Sequence, residues 1–152
     1  MAIREIITKG NDLLDKKCHK VTVFDRRMWT LLDDMKETLK DSGGVGLAAP
    51  QIGIMRRVFI MDDGEQIWEF INPEIIEASE YHEVPEGCLS VPGVQGMVNR
   101  PNYVKIRGMS RDSEPFEAEF TGLMAQCAQH ENDHLDGILF DSKICGPIPE
   151  ED

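Results

Sequence analysis

The spacing of apolar residues changes several times along the chain, and each change marks an element. Met28, Leu31, Leu32, Met35 and Leu39 recur at steps of three and four with charged residues between them. That period predicts an amphipathic helix from Asp25, its N-cap, to about Lys40. Ahead of it, residues 11–17 read as a short surface helical turn and residues 21–24 as extended. Residues 57–61 and 66–71 flank Asp62-Asp63-Gly64-Glu65, a hairpin signal because Asp-Gly adopts the turns that match strand twist. Asn72-Pro73 is expected to break the second of these strands, and residues 75–84 to form another strand or strand pair with its carboxylates in solvent. Residues 103–107 and 116–120 alternate with period two, the pattern of half-buried antiparallel strands. A second helix is expected from the N-cap Thr121 to about Asp136, where Gly137 stops it, with residues 138–140 as a last short strand. Leu123, Cys127, His130 and His134 fall on one face of that helix, which is expected to look inward.

Two stretches follow neither period. Between Ser42 and Gly53, glycines and alanines crowd together, so backbone there must pass close to another segment or a ligand. No Gly-Lys-Ser/Thr ending and no preceding strand support a phosphate loop or a dinucleotide fingerprint, and Gln51 has no structural reason. In Glu86-Gly87-Cys88-Leu89-Ser90-Val91-Pro92, the glycine and proline suggest an irregular strand end that aims a side chain into a cleft. Taken alone, Cys88 is more often a small buried hydrophobe than a ligand.

Composition narrows the class. The 152 residues, 41% hydrophobic and 29% charged, fit one soluble domain over 1–152, with residues 146–152 as a flexible acidic tail. No apolar run is long enough to span a membrane and the N-terminus lacks the core of a signal peptide, so a cytoplasmic protein is expected. A net charge of −12 argues against a general electrostatic grip on nucleic acid or anionic lipid, though not against a local basic patch. The cysteines at 18, 88, 127 and 145 form no Cys-x-x-Cys unit, which argues against a disulfide framework or a zinc ribbon.

Within the second helix, His130-Glu131-Asn132-Asp133-His134 has the form His-Glu-x-x-His. Histidines four apart on a helix share a face and can hold one metal ion, with Glu131 beside the first of them to act as a base. Two histidines on an apolar face can also be hydrogen-bonded core residues. The ligand spacing with a glutamate between them favours metal, and a hydrolytic site wants a third protein ligand, which Cys88 can supply.

Read together, Gly44-x-Gly46-Leu47-Ala48-Ala49-x-Gln51, Glu86-Gly87-Cys88-Leu89-Ser90 and Gln129-His130-Glu131-x-Asp133-His134 resemble, in order, the three signature motifs of the peptide deformylases. The resemblance extends from about Ile3 to Phe140. It implies an α+β fold in which antiparallel β-sheets surround a central helix carrying His130 and His134. It implies removal of the N-formyl group from the formyl-methionine of newly synthesised proteins, using one divalent metal, Fe2+ above Zn2+, Ni2+ or Co2+, on Cys88, His130 and His134. Glu131 is then the general base on a metal-bound water, and the Gln51 amide and the Leu89 backbone N–H are oxyanion donors. Val45, Gly46, Glu86, Gly87, Leu123 and Cys127 are the implied substrate-binding residues, with Val45, the stem of Glu86, Leu123 and Cys127 around the methionine side chain. Arg100 and Asp133 are either a pair that orients the helix or two surface charges.

Two features depart from the family pattern. Where many members have a longer basic C-terminal helix this chain has an acidic tail, which argues against ribosome docking through such a helix and leaves a transient ribosome encounter open, and Lys9-Gly10-Asn11-Asp12 replaces a proline-containing turn. Oligomeric state is not legible. The competing functions are a deformylase-like paralogue acting on another N-acyl substrate and a non-catalytic metal-binding protein.

Overall fold

A computed structural model describes residues 2–150. Helix α1 spans Arg26–Ser42, and Asp25 caps it by accepting from the Arg27 and Met28 amides at 3.1 and 3.4 Å. These bonds satisfy donors that the first turn of a helix leaves free. At the other end Gly43 takes the left-handed conformation, φ 71°, and its N–H reaches back to the Leu39 and Lys40 carbonyls.

Among the described residues six strands follow: β1 Gly46–Ala48, β2 Val58–Asp62, β3 Ile67–Cys88, β4 Val91–Met109, β5 Pro115–Thr121 and β6 Ile144–Gly146. They pair antiparallel in the order β1-β2-β3-β4-β5, with β6 beside β4. Helix α2, Gly122–Leu135, lies between β5 and a 3₁₀ turn at Phe140–Lys143 and packs against β1, β2, β4 and β5. This is the expected α+β fold, antiparallel strands around the motif helix, and the strands form one continuous bonded path.

Strand β2 explains how two helices share that path. Val58 to Met61 are all buried, an apolar run without alternation. Phe59 and Met61 join the core beneath α2, with Phe70, Val104, Ile106 and Phe120. Val58 and Ile60 join the core formed by the Leu32, Met35 and Leu39 stripe of α1. A strand covered on both faces has no polar positions to alternate with. Helix α2 is held at its C-terminus by Arg57, whose guanidinium donates to the Leu135 carbonyl and the Asp136 carboxylate, each at 2.9 Å. A cation there also complements the helix dipole.

Several expectations are corrected. Asn72-Pro73 does not end the strand: β3 runs through it with a register shift between Ile71 and Glu74, and Asn72 sits at φ 52°. Proline is tolerated at such a bulge, and the Asn72 amide bonds the Val21 backbone at 2.8 and 2.9 Å instead. Residues 138–140 form no strand; β6 lies further on, and Gly146, expected in the tail, pairs with Met97. The local apolar run does not decide strand formation there, because the partner edge lies on β4 near Met97 and Val98. Residues 147–150 have no regular structure, and the tail's last two residues lie outside the described ones. Thr121 precedes α2 in extended conformation, but its side chain makes no capping bond.

Candidate metal and active site

Strand β3 ends with a register shift between Gly87 and Cys88, followed by a tight turn through Leu89 and Ser90 into β4. The shift leaves Cys88 half-buried opposite α2, where His130 and His134 stand one turn apart with ring centroids 5.0 Å from each other. Donor atoms of Cys88, His130 and His134 all lie within 4.8 Å of one another. The Cys88 Sγ to His134 Nε2 distance is 3.4 Å. Sulfur and nitrogen ligands at about 2.3 and 2.0–2.1 Å from a tetrahedral ion lie roughly 3.5 Å apart, so these residues fit a single divalent metal.

The two imidazoles are set up differently. Burial pushes the His134 pKa down to about 3, with His130 beside it adding to the effect, so its ring is neutral and offers a lone pair. Burial acts the same way on His130, but the Cys88 thiol and the Glu86 carboxylate outweigh it and favour the protonated ring. Glu86 Oε2 is 2.7 Å from His130 Nδ1, which marks Nδ1 as the proton-bearing nitrogen and turns Nε2 towards Cys88. This arrangement would leave Nε2 of His130 free to hold a metal while Nδ1 keeps its proton on Glu86.

Behind this pair lies a buried ion cluster. Arg100, 1% exposed, donates to Glu86 through Nε at 3.0 Å and Nη2 at 2.7 Å, and to Asp133 through Nη1 at 2.7 Å. Burial alone would raise the Glu86 pKa; His130 and Arg100 outweigh it and keep the carboxylate ionised. Of the two alternatives for Arg100 and Asp133, the buried pair is the one found. Sequence reasoning missed that the Glu86 carboxylate, not only its stem, belongs to the site. Its place two residues before Cys88 was the available signal.

Glu131 is 4% exposed, and its Oε1 has no hydrogen-bond partner among the described residues. Burial pushes its carboxyl up to about 7, an effect that a nearby cation opposes. Gly46 explains part of the glycine-rich stretch: a Cβ built there would stand 2.6 Å from Cys127 Sγ and 2.7 Å from Glu131 Oε2. Gln51 also acquires partners. Its Oε1 accepts from the Ala48 N–H at 3.0 Å, while its Nε2 donates to Ser90 Oγ at 3.1 Å and faces Cys88 Sγ at 3.7 Å.

A cavity of about 440 Å³ opens over these groups. It is lined by Gln51, Cys88, Leu89, His130 and Glu131, and by Val45, Gly46, Glu86, Gly87, Leu123 and Cys127; of the site residues read from sequence, only His134 lies beneath it. Leu123 corrects the expected inward face. It is 61% exposed at the cavity mouth, because the first turn of α2 projects past the core. Cys127 is buried, and burial together with the Glu131 and Glu86 charges raises its thiol pKa well above normal. It therefore stays protonated, in keeping with a lining role. A second cavity of about 420 Å³, between α1 and Arg56, contains none of these groups, so size alone does not identify the site.

An α+β fold whose central His-Glu-x-x-His helix meets a cysteine in a cleft defines a metalloenzyme of the hydrolase class. The family model for polypeptide deformylases matches residues 3–146. The peptide deformylase of Agathobacter rectalis is 49% identical over 97% of this chain and 94% of its own length. The structure of a peptide deformylase from Legionella pneumophila superposes with a TM-score of 0.91 at 41% identity, covering 94% of this chain and 86% of that one. An actinonin-bound class I type b peptide deformylase from Acinetobacter baumannii gives a TM-score of 0.89 at 36% identity, over 95% and 99% of the two chains. The chain belongs to the polypeptide deformylase family, and its activity is peptide deformylation.

Proposed function

We infer that the substrate is the N-formyl-methionine of newly synthesised proteins, and that Cys88, His130 and His134 hold one divalent metal, iron(II), with zinc, nickel or cobalt able to replace it. The observation that carries this is the convergence of one thiol and two imidazoles within 4.8 Å, beside a buried glutamate in the same cavity. Thiolate and imidazole donors suit these metals and not calcium or magnesium. When bound, the ion acidifies water and draws electron density from the formyl oxygen.

The remaining work falls to the protein. Glu131, with a pKa near 7, takes a proton from the attacking water and delivers it to the amine nitrogen as the C–N bond breaks, leaving formate and a free amino terminus. The Gln51 amide is already oriented by the Ala48 N–H, so its Nε2 can donate to the oxyanion together with the Leu89 backbone N–H. Strand β1 lies at the end of the sheet, and a peptide can add beside it at Gly46; the Val45 carbonyl is engaged on the other side by the Asp62 N–H at 2.8 Å. Val45, Leu123, Cys127 and the stem of Glu86 receive the methionine side chain, and Gly87 leaves space for the chain that follows.

The site of action is the cytoplasm, on nascent chains met in a transient encounter with the ribosome. Among the described residues no helix is long and apolar enough to cross a membrane. The test is hydrolysis of formyl-methionyl against acetyl-methionyl peptides by iron(II)-loaded protein kept free of oxygen. A strong formyl preference is expected; equal rates would assign the site to another N-acyl substrate, and metal binding without turnover would leave a metal-binding protein.

A further inference from the structure

The ion cluster behind His130 does not end at Asp133. Lys143, on the 3₁₀ turn Phe140–Lys143, places its Nζ 2.9 Å from Asp133 Oδ2, the same oxygen that accepts from Arg100 Nη1. An unbroken run of contacts thus leads from Lys143, 38% exposed, through Asp133, Arg100 and Glu86 to His130 Nδ1. Arg100 is shared between the Glu86 and Asp133 carboxylates, so among the described residues Lys143 is the one cation on Asp133 that Glu86 does not also engage. An exposed lysine paired with an exposed carboxylate contributes little, but Asp133 is 4% exposed and cannot turn to solvent for compensation. Strand β6 follows Lys143 directly and pairs with β4 at Met97 and Val98, which anchors the turn against β4, the strand that carries Arg100.

We propose that Lys143 is a positioning residue for the metal ligand His130, acting by neutralising Asp133 so that Arg100 stays bidentate on Glu86. Without the ammonium, Asp133 draws the Arg100 guanidinium towards itself, the Glu86 carboxylate loses one of its fixed donors, and the His130 ring is less firmly oriented. The inference rests on the metal-site assignment to Cys88, His130 and His134. It gives the segment after the motif helix a part in the site.

The experiment uses the full chain loaded with cobalt(II), comparing Lys143→Met and Lys143→Arg with wild type. The readouts are the visible ligand-field bands, the rate of cobalt loss to a chelator, and kcat and KM separately. Lys143→Met is expected to shift the bands, lose cobalt about tenfold faster and lower kcat with KM little changed, and Lys143→Arg to restore all three towards wild type. Wild-type bands and release rate in Lys143→Met would overturn the proposal, as would failure of Lys143→Arg to restore them. Should Lys143→Met not fold, Lys143→Gln, which keeps a donor but removes the charge, is read in the same way: faster release supports the proposal, unchanged release overturns it. If wild-type protein takes up no cobalt with a thiolate signature, the metal-site assignment fails first, and the two failures are distinguishable.

Discussion

Glu86 Oε2 and His130 Nδ1 are 2.7 Å apart, both buried, and this contact decides which ring nitrogen faces the cysteine. Outer partners of metal ligands typically govern affinity by 10–100-fold. Glu86→Gln should weaken metal binding within that range while the cold protein remains folded. Titration of the purified variant with zinc in competition with a chelator measures it, and wild-type affinity would show the contact to be incidental.

Gly46 has no room for a side chain. Gly46→Ala would force a methyl into contact with Cys127 Sγ and Glu131 Oε2, at 2.6 and 2.7 Å as the backbone stands. Overpacking of this kind costs roughly 1–3 kcal/mol, and here it falls on Glu131, the proposed general base. A loss of kcat larger than any change in thermal midpoint is expected, together with intact metal content. If stability falls and kcat does not, Gly46 serves packing only.

Glu131→Ala should keep the metal, because the carboxylate is not among the three converging donors, and lose nearly all turnover. Residual activity within tenfold of wild type would remove Glu131 from the proton-transfer step.

Cys88→Ser replaces a soft donor by a hard one. Metal analysis of protein purified without air should show reduced iron and altered visible spectra in the nickel or cobalt forms. Full occupancy with unchanged spectra would exclude Cys88 as a ligand. Iron-loaded wild type should also lose activity in air faster than nickel-loaded protein, since iron(II) and its thiolate are oxidisable.

Acid stability should depend on Glu69. Burial raises its pKa, but hydrogen bonds from Arg111 at 2.8 Å and the Lys36 pair at 2.7 Å outweigh that and lower it below its ordinary 4.5. A depressed carboxyl stabilises the fold above its unfolded-state pKa and loses that contribution as pH falls through the folded value. Glu69→Gln should therefore cost roughly 1–2 kcal/mol near pH 7, with the gap to wild type closing below about pH 4.5 in denaturant melts. A gap independent of pH would mean that packing, not charge, is responsible.

Local pattern was enough for some of this and not for the rest. The α1 stripe, the Asp25 cap, the hairpin around Gly64 and the four-residue spacing of His130 and His134 depend on neighbours within a turn or two, and the sequence by itself determined them. Three intact motifs in order likewise carried the family and the α+β fold. Tertiary structure alone decided what depends on distant segments: that β3 continues through Asn72-Pro73 because Asn72 bonds Val21, and that β6 forms where β4 offers an edge. It also decided the run from the exposed Lys143 through the buried Asp133, Arg100 and Glu86 to His130. Charges far apart in sequence read as surface residues until burial removes water and obliges each to find a partner.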